Sequence, residues 1–257
     1  MCTLTFAWQV FPDAPLVVAA NRDELVDRPS EPPAIRDGKR RFLAPRDAEA
    51  GGTWIGVNDA GVFVGITNRW TDADLAGERS RGLLVRDALG CDSAEEAGRL
   101  IERGVDDTEY GGFNLVVADE AAALLYEYDG SLSVHGFDPG VHVVVNVGAD
   151  GRYDIPASRA EPAERQMAAV RVLQDRLAVE PGESAAVWRD RAAAALADHD
   201  VGVCVHGDGF GTRSSSLLTV DDDGGVDYRF ADGPPCETSH ELVGDEFALG
   251  GSADGQE

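Results

Sequence analysis

The sequence predicts a single α+β domain in which strands and helices come in separate blocks. Strand candidates open the chain, a pair of helices follows, and further strands, a second helix pair and final strands complete it. The 257 residues suffice for one large core, and no internal repeat or linker divides them. Two sheets stacked between two helical layers fit this order, as does a generic α+β domain. We expect one domain over residues 1–249 and a flexible polar tail over residues 250–257.

Apolar segments predict two strands at the start of the chain, the second of them rich in valine. They cover residues 2–10 and 16–20, and Pro12, Asp13 and Pro15 between them predict a turn. The chain therefore opens with a hairpin.

Patterns of the same kind place the later elements. Residues 27–50 are charged and contain prolines, which predicts a long surface excursion, and a hairpin follows at residues 53–57 and 62–67. Ser93, with Glu96 three residues on, predicts a helix N-cap. The remaining elements are helices at residues 79–89, 94–103, 156–178 and 184–198, and strands at residues 113–118, 123–128, 131–136, 142–146, 214–220 and 226–230.

The charge balance excludes several classes of partner. Asp and Glu number 47 against 22 Lys and Arg, which gives a net charge of −25. Such a surface repels nucleic acids and anionic lipids. No apolar run reaches the roughly 20 residues of a membrane helix. The acids are spread along the chain, so we interpret them as a halophilic-type, salt-adapted surface, with an acidic interaction protein as the alternative.

Cysteine and histidine spacing predicts no metal site, no disulfide and no bound cofactor. The cysteines are Cys2, Cys91, Cys204 and Cys236. None forms a CxxC pair, and the five histidines form neither HxxxH nor HxH. No basic residue precedes Arg22, so the charged start of a secretory signal is missing. We therefore expect reduced thiols and a cytoplasmic protein.

Cys2 is the candidate nucleophile. Methionine is normally removed before a small residue, which would leave Cys2 with both a thiol and a free α-amine. An α-amine titrates near about pH 8, so a fraction is an unprotonated base at neutral pH and can accept the thiol proton.

The first hairpin is expected to bring polar groups to Cys2. If Val10 pairs with Leu16, Cys2 lies opposite Glu24, which ends the segment Asn21-Arg22-Asp23-Glu24. The Arg22 guanidinium would favour the thiolate, and the Asp23 carboxylate would orient the α-amine. The alternative is a polar strand end with a surface ion pair, which contributes little.

These residues carry a family resemblance. Met1-Cys2 followed by Asn21-Arg22-Asp23-Glu24 resembles the NRDE family, whose eukaryotic branch includes transport and Golgi organisation protein 2. Three further motifs agree in family order: Gly51-Gly52-Thr53-Trp54-Ile55-Gly56, Gly112-Phe113-Asn114-Leu115 and Gly211-Thr212-Arg213-Ser214-Ser215. The resemblance implies the four-layer αββα sandwich of the N-terminal-nucleophile hydrolases.

A more distant similarity, to choloylglycine hydrolases and penicillin V acylases, implies the remaining site residues. By position, Arg22 and Asp23 match an arginine and an aspartate of that branch, although they are spaced more tightly here. Asn68 and Asn146 resemble its two asparagines, and Arg213 its late arginine. A fixed side-chain N–H from either asparagine would stabilise an oxyanion, while the alternative for both is turn formation at a strand end. Arg213 would pair a substrate carboxylate or Asp23.

Two functions remain open from the sequence. The first is an amidohydrolase that attacks a linear amide with Cys2 and passes through an acyl-enzyme. The second is a non-catalytic binding or trafficking protein for haem or a lipid-like ligand, as the eukaryotic relatives suggest, with Cys2 as a possible iron ligand. Both predict a small-molecule ligand. Fold similarity alone does not establish hydrolysis.

Overall fold

Two antiparallel sheets form the centre of the molecule in the computed structural model, which describes residues 2–250. The first sheet contains β1 (Thr3–Phe11), β2 (Ala14–Leu25), β10 (Gly140–Val145), β11 (Gly148–Ala149), β12 (Arg152–Tyr153), β13 (Phe210–Val220), β14 (Val226–Ala231) and β15 (Glu241–Val243). The second contains β3 (Ser30–Arg36), β4 (Phe42–Asp47), β5 (Ile55–Asn58), β6 (Phe63–Asn68), β7 (Phe113–Ala118), β8 (Ala123–Tyr128) and β9 (Leu132–Gly136). Of the predicted tail over residues 250–257, all but Gly250 lies outside the described residues.

The strand order explains why the chain ends meet. The first sheet runs β12-β11-β10-β1-β2-β13-β14-β15, and the second runs β3 to β9 in chain order. The N-terminal hairpin therefore lies at the centre of the first sheet, between strands from the middle and from the end of the chain.

Four helices cover the outer faces of the two sheets. They are α1 (Arg81–Ala88), α2 (Ala94–Asp107), α3 (Ala160–Leu177) and α4 (Ala185–Ala197). None of these described helices is long and apolar enough to cross a membrane. Ser93 accepts a hydrogen bond from the Glu96 N–H at 3.2 Å, so the predicted N-cap of α2 is confirmed.

Three apolar clusters hold the layers together. Phe6 and Leu218 of the first sheet pack with Val116 of the second between the sheets. Trp188 of α4 belongs to the cluster under α3 and α4, and Ile101 of α2 to the one under α1 and α2. Each sheet thus buries both faces, which produces the αββα sandwich and confirms the predicted fold class.

The predicted surface excursion over residues 27–50 is wrong, because this segment forms β3 and β4. Three successive residues of β4, Phe42 to Ala44, are buried. In β3 the pairing shifts between Glu31 and Ala34, around the two prolines of the strand. Proline is tolerated in an edge strand at a bulge, and β3 is such an edge. Its prolines therefore hid a strand from pattern analysis.

The predicted register of the first hairpin is also wrong, by two residues. Trp8, and not Val10, lies opposite Leu16. An irregularity between Trp8 and Phe11, with Gln9 at φ 55°, takes up the difference. A bulge of this kind has no signature in strand periodicity.

The even shift changes which residue faces Cys2. Because side chains alternate with a period of two, each one keeps the face that the predicted register gave it. The last recorded pair is Thr3 with Asn21. Continuing that register sets Cys2 beside Arg22 rather than beside Glu24.

A close backbone contact positions the loop before β5 against the first turn of α1. A Cβ atom on Gly52 would lie 2.2 Å from the carbonyl carbon of Gly82. The Thr53 N–H donates to the Gly82 carbonyl oxygen at 3.0 Å. This contact fixes the loop that carries Trp54. Position 52 requires glycine because a side chain there would overlap the backbone of Gly82, and not because of its backbone dihedral angles.

We expect Gly52→Ala to lower the free energy of unfolding by about 3 kcal/mol, because the added methyl group overlaps a backbone that cannot yield. Gly51→Ala is the matched control. Gly51 has φ +73° and no atom within 4 Å of an added Cβ, so its substitution should cost only about 1 kcal/mol of backbone strain. Urea unfolding of both variants measures the difference, and an equal or smaller loss for Gly52→Ala would contradict the packing argument.

Candidate active site

Four strand ends meet at one edge of the sandwich. Cys2 precedes β1, Asp23 lies near the end of β2, Asn68 ends β6 and Asn146 follows β10. Since β1 is antiparallel to both β2 and β10, its first residues adjoin their last ones. The Asn146 Nδ2 donates to the Asn68 carbonyl oxygen at 2.6 Å, which links the two sheets at this edge.

Cys2 lies where two cavities meet. Its Sγ is 3.5 Å from the Asp23 carbonyl oxygen, and the residue is half-buried. Cys2, Asp23 and Asn68 line both cavities. A group bound against this thiol can therefore extend in two directions.

The smaller cavity lies between the sheets and is lined by charged groups. Its volume is about 120 Å³, enough for only a few atoms. Three arginines, Arg22, Arg28 and Arg81, and the carboxylates of Glu24 and Asp47 line it. Arg28 Nη2 pairs with Asp47 Oδ2 at 2.8 Å, so part of this charge is compensated within the wall.

The larger cavity lies beside α3 and has an apolar lining. Its volume of about 660 Å³ is within the usual range for small-molecule sites. Trp70, Val172, Val201 and Phe210 supply apolar surface, and Asn146 reaches it from the strand ends. Such a wall suits the hydrocarbon part of a ligand.

Arg22 is a buried cation with incomplete pairing. Its side chain is 7% exposed, its Nη2 lies 3.6 Å from Glu24 Oε2, and its guanidinium carbon lies 4.2 Å above the Trp54 ring. Burial lowers the pKa of Arg22, and the Glu24 carboxylate opposes that shift. Nη1 is buried without a hydrogen-bond partner among the described residues. A polar ligand group in the smaller cavity would satisfy it.

Burial affects the pKa of the Cys2 thiol more than the neighbouring charges do. Burial raises the pKa of Cys2, and the nearby Asp23 carboxylate raises it further. Arg22 acts in the predicted direction, but its effect is smaller than that of burial. Activation of the thiol by the α-amine of Cys2, which requires the removal of Met1, stays a prediction.

A residue of the neighbouring strand β13 fixes the Asp23 side chain. The Thr212 hydroxyl donates to Asp23 Oδ1 at 2.6 Å, and the Val205 N–H donates to that hydroxyl at 2.9 Å. Burial raises the pKa of Asp23, and the hydrogen bond from Thr212 opposes this shift because it stabilises the ionised carboxylate. The carboxylate thus has a fixed orientation beside Cys2.

The two predicted asparagines occupy different settings. Asn68 is exposed and lines both cavities. Asn146 is buried, and its Oδ1 accepts a hydrogen bond from Gln166 Nε2 at 2.7 Å. Asn114, by contrast, donates to the Val145 carbonyl oxygen at 2.7 Å and supports the strands rather than a cavity.

Arg213 does not join the other predicted site residues. It lines neither cavity, whereas its neighbour Thr212 contacts Asp23. The pairing of β13 with β2 is irregular between Thr212 and Ser214, and Arg213 is the extra residue there. Because a bulge redirects the side chain it inserts, the motif alone could not place this arginine.

Arg81 lines the smaller cavity and was missed by the sequence analysis. It begins α1, and its Nη1 donates to the Gly112 carbonyl oxygen at 2.7 Å. Burial lowers the pKa of Arg81, and the Cys2 sulfur is the largest opposing influence. One signal was available. A basic residue in the first turn of a helix interacts unfavourably with the helix dipole, so its presence there indicates a role other than helix stabilisation.

Among the described residues, one group of His and Cys side chains has ligand atoms close enough to share a metal ion. It consists of His199, Cys204, His206 and Cys236, and Cys2 is not part of it. The group lies next to the larger cavity rather than at the junction.

Sequence comparisons relate the chain to one family. A family model described as Transport and Golgi organisation 2 matches residues 1–229. The human Transport and Golgi organization protein 2 homolog is 26% identical over 253 residues, which cover 89% of this chain and 91% of that protein. The mouse Transport and Golgi organization 2 homolog is 32% identical over 126 residues, which cover 46% of this chain and 45% of that protein.

Solved structures with the same fold include three acting on amides or conjugates by name. Penicillin V acylase from Agrobacterium tumefaciens has a TM-score of 0.51 and 16% identity, over 90% of this chain and 83% of that chain. The N-acylethanolamine-hydrolyzing acid amidase ortholog from Caenorhabditis elegans has a TM-score of 0.54 and 14% identity, over 84% and 92%. The C2A mutant of conjugated bile acid hydrolase from Clostridium perfringens has a TM-score of 0.55 and 11% identity, over 90% and 89%. These likenesses confirm the predicted N-terminal-nucleophile hydrolase fold.

We expect Asp23→Asn to lower the pKa of the Cys2 thiol, because removing the nearby negative charge stabilises the thiolate. Glu24→Gln is the matched control, since it removes a charge of the same sign one residue further on. The pH dependence of Cys2 alkylation, followed by peptide mass spectrometry, measures the pKa. An unchanged or higher value in Asp23→Asn would show that the carboxylate is not what holds the proton on sulfur.

Proposed function

Because the chain belongs to the Transport and Golgi organisation 2 family and has the N-terminal-nucleophile hydrolase fold, we propose that it is a cysteine amidohydrolase acting on linear amides. The observation that carries the proposal is the position of the Cys2 thiol at the junction of two cavities, 3.5 Å from the Asp23 carbonyl oxygen. A linear amide whose carbonyl group lies at this junction extends its acyl side into one cavity and its amine side into the other.

The proposed reaction begins with removal of Met1, which leaves the α-amine on Cys2. Since burial raises the pKa of the thiol, its proton passes to the α-amine as sulfur attacks the carbonyl carbon. The C–N bond then breaks, the departing nitrogen takes the proton, and a thioester remains. Water attacks the thioester, gives up a proton to the same amine, and releases the acid while the thiol is restored.

Asp23 is the proposed orienting group for the α-amine. Its Oδ1 is fixed by the Thr212 hydroxyl at 2.6 Å. A carboxylate buried next to Cys2 favours the ammonium that forms when the amine accepts the thiol proton. Asp23 thereby stabilises the charge that the reaction creates, without taking the proton itself.

The asparagines at the strand ends are the proposed oxyanion donors. Asn68 borders both cavities, so its amide can point at a carbonyl oxygen bound at the junction. Asn146 commits one N–H of its Nδ2 to the Asn68 carbonyl oxygen and carries a second. A fixed donor aimed at the oxyanion is typically worth about 2.7–4 kcal/mol of barrier.

The two cavities support an assignment of the two halves of the substrate. The acyl chain fits the larger, apolar cavity of about 660 Å³ beside Trp70 and Phe210. The amine part fits the smaller cavity of about 120 Å³, where Arg22 has a buried N–H without a partner among the described residues. We therefore propose an amide with a hydrophobic acyl group and a small polar amine.

We propose a cytoplasmic location together with this activity. The four cysteines found among the described residues are free thiols, which favours a reducing compartment. A small-molecule amide is the proposed ligand, and the net charge of −25 disfavours nucleic acid as a partner.

We expect the purified protein to lack Met1 and to form a covalent acyl adduct on Cys2 when incubated with activated N-acyl amides of increasing chain length. Intact-mass and peptide mass spectrometry detect both changes. Cys2→Ser should abolish turnover, because a hydroxyl is a much weaker nucleophile in a site built around a thiol.

Cys91→Ser is the control for this experiment, since Cys91 is a buried thiol outside both cavities and its loss should leave adduct formation intact. Retention of Met1 in active protein would contradict the amine mechanism. A chain without Met1 that forms no adduct with any acyl length would contradict the hydrolase proposal itself.

A binding or trafficking protein is the second candidate. It is favoured by the apolar lining of the larger cavity and by the description of the family. Under this candidate the larger cavity holds haem or a lipid-like ligand, and Cys2 contributes an iron ligand.

This second candidate predicts that haemin added to the protein produces a shift of the Soret band that Cys2→Ser abolishes, since only a sulfur ligand at that position would be lost. Absorbance titration measures it, with Cys91→Ser as the control. A flat titration of the wild-type protein would remove haem from the candidate ligands.

A further inference from the structure

We propose that His199, Cys204, His206 and Cys236 bind one zinc ion in a structural site that braces the wall of the larger cavity. Each residue offers one ligand atom, and all four atoms lie within 4.8 Å of one another. The proposal is independent of the amidohydrolase chemistry, since it concerns side chains that the proposed reaction does not use.

Three of the distances among these atoms are equal to those of a tetrahedral zinc site or shorter by a few tenths of an ångström. Zn–S bonds of about 2.3 Å and Zn–N bonds of about 2.0 Å imply about 3.8 Å between two sulfurs and about 3.6 Å between sulfur and nitrogen. The Cys204 and Cys236 sulfurs lie 3.4 Å apart, and His206 Nε2 lies 3.6 Å from the first and 3.1 Å from the second. An expansion of a few tenths of an ångström admits the ion.

The fourth ligand, His199, packs against His206. The rings of His199 and His206 are 5.1 Å apart between centroids and nearly perpendicular, at 74°. Two imidazoles in this arrangement can direct a nitrogen each toward one point. Both histidines are exposed, so the ion has a path from solvent.

The donor set selects the metal. Two thiolates and two neutral imidazoles match structural zinc sites, whereas Mg²⁺ and Ca²⁺ prefer oxygen ligands. On binding, the two thiols lose their protons to solvent, and the resulting site is electrically neutral. A net charge of −25 on the protein also raises the local concentration of cations.

A disulfide between Cys204 and Cys236 is the rival explanation for their proximity. Its sulfurs would have to be about 2.05 Å apart, and they are 3.4 Å apart with His206 in contact with both. A disulfide would also not explain why a nitrogen of each of the two histidines lies within 4.8 Å of both sulfurs. The geometry therefore favours the ion.

Sequence spacing could not reveal this cluster. Cys204 and His206 are two residues apart, but Cys236 lies 32 residues beyond Cys204. It follows β14, while the other three ligands lie between α4 and β13. Only the pairing of β13 with β14 brings the two segments together.

The position of the cluster gives it a structural role. Val205, between two ligands, lines the larger cavity, and its N–H donates to the Thr212 hydroxyl that contacts Asp23. The carbonyl oxygen of Val203 accepts a hydrogen bond from Asn21 at 3.0 Å. An ion held on either side of Val205 would therefore fix the cavity wall and the carboxylate beyond it.

The test is a titration of the reduced, metal-free full-length protein with Co²⁺ and then with Zn²⁺. We expect one Co²⁺ per chain, with the intense visible bands of a tetrahedral ion and a thiolate-to-cobalt charge-transfer band, and displacement of Co²⁺ by an equal amount of Zn²⁺. Zn²⁺ should also raise the Tm. Cys236→Ser should weaken binding by more than the 10–100-fold typical of losing an outer partner.

Matched variants separate a defined site from general thiol binding. Cys91→Ser and His135→Gln remove a thiol and an imidazole outside the cluster and should leave the Co²⁺ spectrum and affinity unchanged. His199→Asn, at an exposed position, should weaken binding and alter the visible bands.

Three results would overturn the proposal. The first is the absence of a thiolate charge-transfer band in the wild-type protein, and the second is unchanged binding in both Cys236→Ser and His199→Asn. The third is a disulfide, seen after non-reducing purification as a mass lower by two hydrogens and a tryptic link between Cys204 and Cys236. Each is distinct from failure of the amidohydrolase proposal, because Cys2→Ser should bind Co²⁺ as the wild type does.

Discussion

The pairing of β2 with β1 on one side and β13 on the other holds the centre of the first sheet together. β2 pairs with β13 along nearly its whole length, from Leu16 opposite Val220 to Leu25 opposite Phe210. This ladder carries the C-terminal segment to the start of the chain, where Thr212 fixes Asp23 beside Cys2. The α3–α4 layer packs on the same sheet and closes the larger cavity. Shape, site and cavity therefore depend on one set of backbone hydrogen bonds.

The sequence predicted those parts of the fold that depend on local periodicity. The four helices and most central strands have apolar residues at helical or alternating spacing, and each was found within a few residues of its predicted bounds. The edge strand β3 was missed because its prolines resemble a loop. The hairpin register was missed because the irregularity near Gln9 depends on backbone conformation rather than on residue type.

Prediction of the site followed the same division. The family resemblance predicted Cys2, Asp23, Asn68 and Asn146 as site residues, and the strand ends that carry them meet at one edge of the sandwich. Arg81 was missed because it comes from a helix, whose distance from Cys2 no short-range pattern encodes. Arg213 was misplaced by an irregularity in its strand.

The smaller cavity has a larger share of cationic side chains than the chain as a whole. The net charge is −25, yet three arginines line the smaller cavity. Burying Arg22 removes hydration from a cation, and Glu24 and the Trp54 ring replace only part of it. Three carboxylates, Asp23, Glu24 and Asp47, line the same cavity and balance the three arginines there.

The central place of the first hairpin also decides how the chain must fold. Asp23 and its partner Thr212 are 189 residues apart, and β1 needs β10 on its other edge. During synthesis, a valine-rich hairpin therefore leaves the ribosome long before either neighbouring strand exists. Contacts of such high sequence separation form slowly, and unpaired apolar strands invite aggregation in the interval. A nascent chain of this protein has to be shielded until β13 emerges, and a chain that stops short of it leaves the edge of β2 open to any strand nearby.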